Sequence, residues 1–214
     1  TGEFFWAKFF LAMLGALFIH AGTNLINDYF DHLSGCDRAN LTPTPFSGGS
    51  RVIQDKQVIP RKILYAAVFS FIAGGIIGFY LNYISAGNTI LILGAIGVFL
   101  GVFYSAKPLS IGYGSLGELA VGIGFGPLIV AGSYYVQAQQ APIKVFLASI
   151  PVGILIALVL FINEFPDYTA DKQAGKRTLV VMLGKEKAVV LYHILLACVY
   201  LSVVFLVIFK LLPV

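Results

Sequence analysis

The chain has 214 residues, of which 58% are hydrophobic and only 11% charged, with a formal net charge of +4. That is far more apolar than a soluble domain needs for its core. No basic stripe with interleaved aromatics points to nucleic acid, so a membrane protein remains.

A bilayer-spanning helix needs about 20 mostly apolar residues. Runs of that kind fall near 4–26, 63–83, 89–104, 115–137, 145–162 and 188–212, the third of them short. The expected fold is all-α, a polytopic transmembrane helical bundle of about six spans. The first run carries Lys8 and lacks the small-residue cleavage pattern of a signal peptide, so it is expected to stay in the mature chain. The sequence opens on Thr1, almost inside a helix, and is read as a fragment or a trimmed chain.

The first run closes on NLINDYFDHLSGCD (24–37). There Asn24, Asp28 and Asp31 recur at i, i+4, i+7 and Asn27 stands one turn before Asp31, which stacks oxygen donors on a helix end. Gly35 is expected to stop this helix and let Asp37 fold back. His20 reads as a satisfied buried imidazole and His32 as a loop residue. Asn40-Leu41-Thr42 is a glycosylation sequon, idle if its connection is cytoplasmic.

In the fourth run Glu118 lies about one turn into the apolar segment. A carboxylate there is costly enough to be a functional candidate facing a cleft, with a structural pairing as the alternative. GIGFGP (122–127) sits inside an apolar span with no strand before it, which excludes a nucleotide loop. Its glycines, like Gly94, Gly97 and Gly101, read as close-packing positions between helices. Tyr134 and Tyr135 fall at the far end of the run, where an interfacial aromatic belt is expected.

The fifth run closes on FINEFPDYTADKQAGKRTL (161–179), with Asn163, Asp167 and Asp171 at i, i+4, i+8 and Pro166 expected to loosen the last turn. Cys36 and Cys198 are too few and too differently placed for a disulfide framework, and both are expected to be free thiols.

Six spans put the connections 28–62, 105–114 and 163–187 on one side of the membrane. They carry eleven of the 14 basic residues, leaving Lys8, Lys144 and Lys210 for the other side, and eight of the 10 acidic ones. By the positive-inside rule that side is cytoplasmic. Both acidic motifs therefore sit where a helix leaves the bilayer on one face, and they can meet. Two carboxylate stacks at close range repel unless cations lie between them. Hard oxygen donors, few from each side, suit Mg²⁺, which keeps several waters and shares its remaining positions with phosphate oxygens. A diphosphate bound through metal is the favoured reading, with solvated helix ends as the plain alternative.

These residues resemble a family, the UbiA-type intramembrane prenyltransferases, whose signature is two aspartate-rich motifs at the cytoplasmic ends of two helices. Asn27, Asp28 and Asp31 are similar to the first motif, and Asn163, Asp167 and Asp171 to the second. The branch acting on ubiquinone precursors usually has a third aspartate four residues after the position of Asp31. Here Gly35 stands there, with Asp37 two residues later, a form that resembles the menaquinone-type branch acting on 1,4-dihydroxy-2-naphthoate. FSGGSRVI (46–53), GSLGELAVGIGFGPLIVAGSYYVQ (114–137) and DKQAGKRTLVVMLG (171–184) are similar to that branch too.

The resemblance implies a nine-helix fold with the first motif on the second helix, so that residues 1–214 would form a single prenyltransferase domain truncated at both ends. It implies two Mg²⁺ ions, held by Asp31 with Asp28 or Asp37 and by Asp167 with Asp171, with Asn27 and Asn163 in support. Arg51, Lys107, Lys176 and Arg177 would neutralise the charge on a polyprenyl diphosphate, and Glu118 or Asp37 would orient or deprotonate the aromatic acceptor. The implied partners are these two substrates and the lipid bilayer of the cell membrane, with the site facing the cytoplasm. Other branches use 4-hydroxybenzoate, haem, chlorophyllide or archaeal lipid glycerols. Outside the family, the compact pattern of CDP-alcohol phosphotransferases is not found. A cation-coupled transporter needs acids near mid-membrane, toward which only Glu118 leans.

Overall fold

The computed structural model describes residues 3–39 and 49–212, and among them all regular structure is helical. The sequon at Asn40 and the start of FSGGSRVI lie outside the described residues.

The long helices α1 (Trp6–Ser34), of 29 residues, and α7 (Ile143–Gln173), of 31, place both acidic motifs. At 1.5 Å per residue they reach about 44 and 46 Å, well beyond the ~30 Å hydrocarbon layer. Each therefore carries its apolar stretch across and projects its last turns, with the acids, past it. The chain then reverses at a left-handed glycine in both cases, Gly35 (φ 80°) after α1 and Gly175 (φ 77°) just past α7. Only glycine adopts this φ at no steric cost. His32 sits in the last turn of α1 instead of a loop. The second motif, whose i, i+4, i+8 spacing is helical, lies on α7 as far as Gln173. Pro166 costs one backbone bond, yet its fixed φ is itself helical and the flanking turns carry the helix on.

After α1 come a single turn, α2 (Cys36–Ala39), and the helices α3 (Pro60–Tyr83) and α4 (Thr89–Phe103). Close approach of α1 and α3 depends on glycine. A Cβ on Gly74 would lie 2.7 Å from Ile19 Cδ1 and 3.1 Å from the Gly15 carbonyl oxygen. On α4 only one of the three glycines fits the packing reading: Gly101 meets Thr23, whereas Gly94 and Gly97 have no described neighbour within reach of an added Cβ. The fourth apolar run is not one regular helix. It divides into α5 (Gly117–Ile123), a wide π turn (Gly124–Leu128) and α6 (Ile129–Ala138), because Pro127 has no N–H to keep the α ladder. That turn lies against α7, where Gly122, Gly126 and Gly153 cross almost backbone to backbone.

The turn α8 (Leu179–Leu183) and the last helix α9 (Lys185–Ile208) close against α7 around Leu158, Phe161, Val180, Ala188 and Val199. Five segments, α1, α3, α5 through α6, α7 and α9, are long and apolar enough to cross a membrane. The 15-residue α4, covering about 22 Å, is shorter than a typical crossing. The protein is a polytopic helical membrane protein, and exposed side chains such as Phe69, Ile76 and Leu201 suit a lipid-facing surface.

At the end away from the acids, Gln137 exchanges two hydrogen bonds with the Phe5 backbone, and Gln139 accepts from the Ala86 N–H at 2.7 Å. Tyr135 belongs to this tie instead of an aromatic belt: it is buried and its hydroxyl donates to the Ala86 carbonyl. Its phenol finds a partner in the turn after α3, so burial costs no unsatisfied donor.

Candidate active site

Three connections fold together over the acid-bearing end. The Arg177 N–H donates to the Tyr113 carbonyl at 2.7 Å, which clips the segment after α7 onto the 3₁₀ turn Ile111–Tyr113. The Tyr113 hydroxyl donates to Asp31 Oδ1 at 2.6 Å, linking that turn to α1. From the segment before α3, Gln54 donates to Asp37 Oδ2, and Ser50 donates from both its hydroxyl and its backbone N–H to Asp28. Gly49 makes this return possible, because its φ is 68° and a Cβ there would lie 3.2 Å from Asp28 Oδ1.

Between them lies a cavity of about 230 Å³. Asn27, Asp31 and Asp37 line one side, and Asn163, Glu164, Asp167 and Asp171 the other. Lys176 stands between the two groups, its Nζ 3.4 Å from Asp31 Oδ2 and 3.8 Å from Asp171 Oδ1, with the Tyr113 ring centroid 4.8 Å away. Burial pulls an ammonium down, but Asp31 and Asp171 outweigh it and hold Lys176 above its ordinary pKa. Burial, followed by the charges of Asp31 and Asp28, pushes the Asp37 carboxyl up to about 6. Among the described residues, Asp31, Asp37, Glu164, Asp167 and Asp171 thus share the cavity lining with a single basic side chain, Lys176.

The residues named from sequence divide. Asn27, Asp31, Asp37, Asn163, Asp167, Asp171 and Lys176 line the cavity; Asp28, Glu118, Arg51, Lys107 and Arg177 do not. Asp28 is taken up by Ser50. Arg51 bonds the Asp37 carbonyl at 3.5 Å, while Lys107 and Arg177 are exposed at the same end. Glu118 is buried behind the wall, outside the cavity lining, where its carboxyl pairs with that of Glu164; it takes the structural pairing instead of the cleft. Both cysteines are free thiols, Cys36 buried against the cavity and Cys198 exposed.

Sequence reasoning missed Tyr113, Tyr104 and Glu164 in the wall. Glu164 carried a signal, standing three residues before Asp167 on one helix face. Tyr113 carried none, since its role depends on how two connections dock.

A second, apolar groove of about 280 Å³ runs between α1 and the π turn with α6, lined by Phe9, Met13, Leu17 and His20 on one side and Phe125 and Ile129 on the other. His20 is exposed in this groove instead of buried, edge-on to Phe125 and paired with Asn24 at 3.3 Å.

The fold is a membrane-spanning helical bundle with an acid-lined polar cavity at one end and an apolar groove along the same helix. The chain belongs to the UbiA prenyltransferase family, whose sequence pattern matches residues 1–214. It is 34% identical over 200 residues to the 1,4-dihydroxy-2-naphthoate octaprenyltransferase of Bacillus subtilis, a match covering 93% of this chain and 62% of the relative. To the enzyme of the same name from Mycobacterium tuberculosis it is 33% identical over 192 residues, covering 90% of this chain and 63% of the relative. To the 2-carboxy-1,4-naphthoquinone phytyltransferase of a Synechocystis species it is 32% identical, covering 87% and 58%. The chain thus spans about three-fifths of the length of these relatives. Prenyltransferases of this family generally depend on a divalent metal.

Proposed function

We propose that the protein transfers a polyprenyl group from a polyprenyl diphosphate to 1,4-dihydroxy-2-naphthoate, in menaquinone biosynthesis, at a site facing the cytoplasm. The observation that carries this reading is the meeting of both aspartate motifs around Lys176 in one cavity, at the end of a helix that also walls an apolar groove. The names of the relatives favour the naphthoate acceptor, and the basic bias of the three connections favours the cytoplasmic side.

The donor set fits Mg²⁺. Aspartate and asparagine oxygens face one another, a cation already stands between two of them, and Mg²⁺ is commonly held by one or two carboxylates with water and phosphate completing its shell. Asp31 with Asp37 or Asp28, and Asp167 with Asp171, would hold it, supported by Asn27 and Asn163. Bound there, the metal supplies neutralisation of the diphosphate oxygens as they take up negative charge.

The remaining steps fall to the chain. Lys176 donates to the diphosphate, and Arg51, Lys107 and Arg177 keep the mouth of the site positive. The allylic C–O bond breaks with both electrons going to diphosphate, and the electron-rich ring closes the new C–C bond. In the naphthoate reaction the attacked ring carbon bears the carboxylate, so carbon dioxide leaves and its bonding electrons restore the ring. The groove between α1 and the π turn with α6 takes the prenyl tail. His20 lies eleven residues, roughly 16 Å, from Asp31 along α1, a span of several isoprene units.

The protein, reconstituted with Mg²⁺ and a polyprenyl diphosphate, is expected to prenylate the dihydroxynaphthoate with one carbon dioxide released per transfer. Prenylation of 4-hydroxybenzoate in its place would remove the acceptor assignment and leave the prenyltransferase reading.

A further inference from the structure

Lys176 is held by more than its charge requires. Its ammonium reaches a carboxylate of each motif, at 3.4 and 3.8 Å, and lies 4.8 Å from the Tyr113 ring centroid. Tyr113 in turn donates to the other oxygen of Asp31, and its carbonyl accepts the N–H of Arg177, the next residue. Lys176 is thus a cation bridging two helix ends that would otherwise repel, in the space a divalent cation needs. An ammonium and a divalent cation cannot share it, because like charges a few ångströms apart repel strongly in a partly buried site.

We propose that Lys176 is an exchangeable internal cation: it joins the two aspartate motifs in the resting protein, and is displaced onto phosphate oxygens when a divalent cation and a diphosphate enter together. The inference deepens the function proposed above and rests on it. Lysine suits the task better than arginine, since its point charge rides on a flexible four-carbon stem with three rotatable donors, whereas a guanidinium fork locks onto a carboxylate. Its side chain is only 14% exposed, so water is a poor refuge for the displaced ammonium and an incoming phosphate a good one. The metal alone should then bind weakly, and metal and diphosphate should each strengthen the other's binding.

The test is Mn²⁺ binding, followed by electron paramagnetic resonance on the purified protein in nanodiscs, with and without inorganic diphosphate. Without diphosphate, Lys176→Met is expected to bind Mn²⁺ about tenfold more tightly than wild type, because no ammonium has to be displaced. The further gain on adding diphosphate should shrink by a similar factor. Lys176→Arg should retain weak Mn²⁺ binding. Should Lys176→Met not fold, Lys176→Gln decides: it keeps a hydrogen-bonding head without the charge and should also bind Mn²⁺ more tightly than wild type. A folded charge-removing variant of Lys176 whose Mn²⁺ affinity equals or falls below that of wild type would overturn the inference. Prenyl transfer is read separately, so the exchange can hold while the acceptor or transfer assignment fails, and the reverse.

Discussion

Asp31→Asn is expected to lower prenyl transfer by at least about a hundredfold, equivalent to about 2.7 kcal/mol at the transition state, while leaving the protein folded. Asp31 is 8% exposed, and its two carboxylate oxygens are engaged by Tyr113 and Lys176. Asparagine keeps the shape and one acceptor for the Tyr113 hydroxyl. It loses the negative charge that holds a cation opposite Asp171, and a metal site is worth several kcal/mol of charge stabilisation. Activity in membranes and retention of the size-exclusion profile check the two halves of this result. Turnover close to wild type would remove the first motif from the metal site.

The largest effect on stability is expected at the crossing of α7 with the π turn. A Cβ on Gly153 would lie 2.6 Å from the Gly122 carbonyl oxygen and 3.4 Å from Gly126 Cα. Those are backbone atoms, so the helices must separate for Gly153→Ala to fit. Overpacking of this kind costs about 2–3 kcal/mol, and at roughly 2–4 °C per kcal/mol for a chain of this size the thermal midpoint falls by about 5–10 °C. Gly97→Ala is the control. It faces open space in a helix, so its midpoint should be unchanged or slightly raised. Equal behaviour of the two variants would mean that the crossing is looser than described.

How far the sequence alone reached follows from the physics of each signal. The long apolar runs and the i, i+4 recurrence of acids are local patterns, and they located the spans and both aspartate motifs. The reversal at Gly35 was legible because a left-handed turn leaves few residues to choose from. What depended on docking was not legible. Tyr113 reaches Asp31 only because the segment after α7 is clipped to its own turn, and Lys107 and Arg177, named beside Lys176 from the sequence, end up exposed. Gly94, Gly97 and Gly101 look alike in sequence, yet only Gly101 meets a neighbour. Glu118 was singled out because an acid inside a span is costly. Its burial beside Glu164, out of the cavity, followed from the rotation of α5, which a seven-residue helix does not announce.

The central claim is that the acid-lined cavity activates a prenyl diphosphate through a divalent cation. The most direct measurement follows the protein in sealed vesicles with a labelled polyprenyl diphosphate and the dihydroxynaphthoate, counting released diphosphate and prenylated product together. One diphosphate per product is expected with Mg²⁺, and neither with a chelator present. Mg²⁺-independent release, or uptake of labelled cations into the vesicles with no diphosphate released, would contradict it.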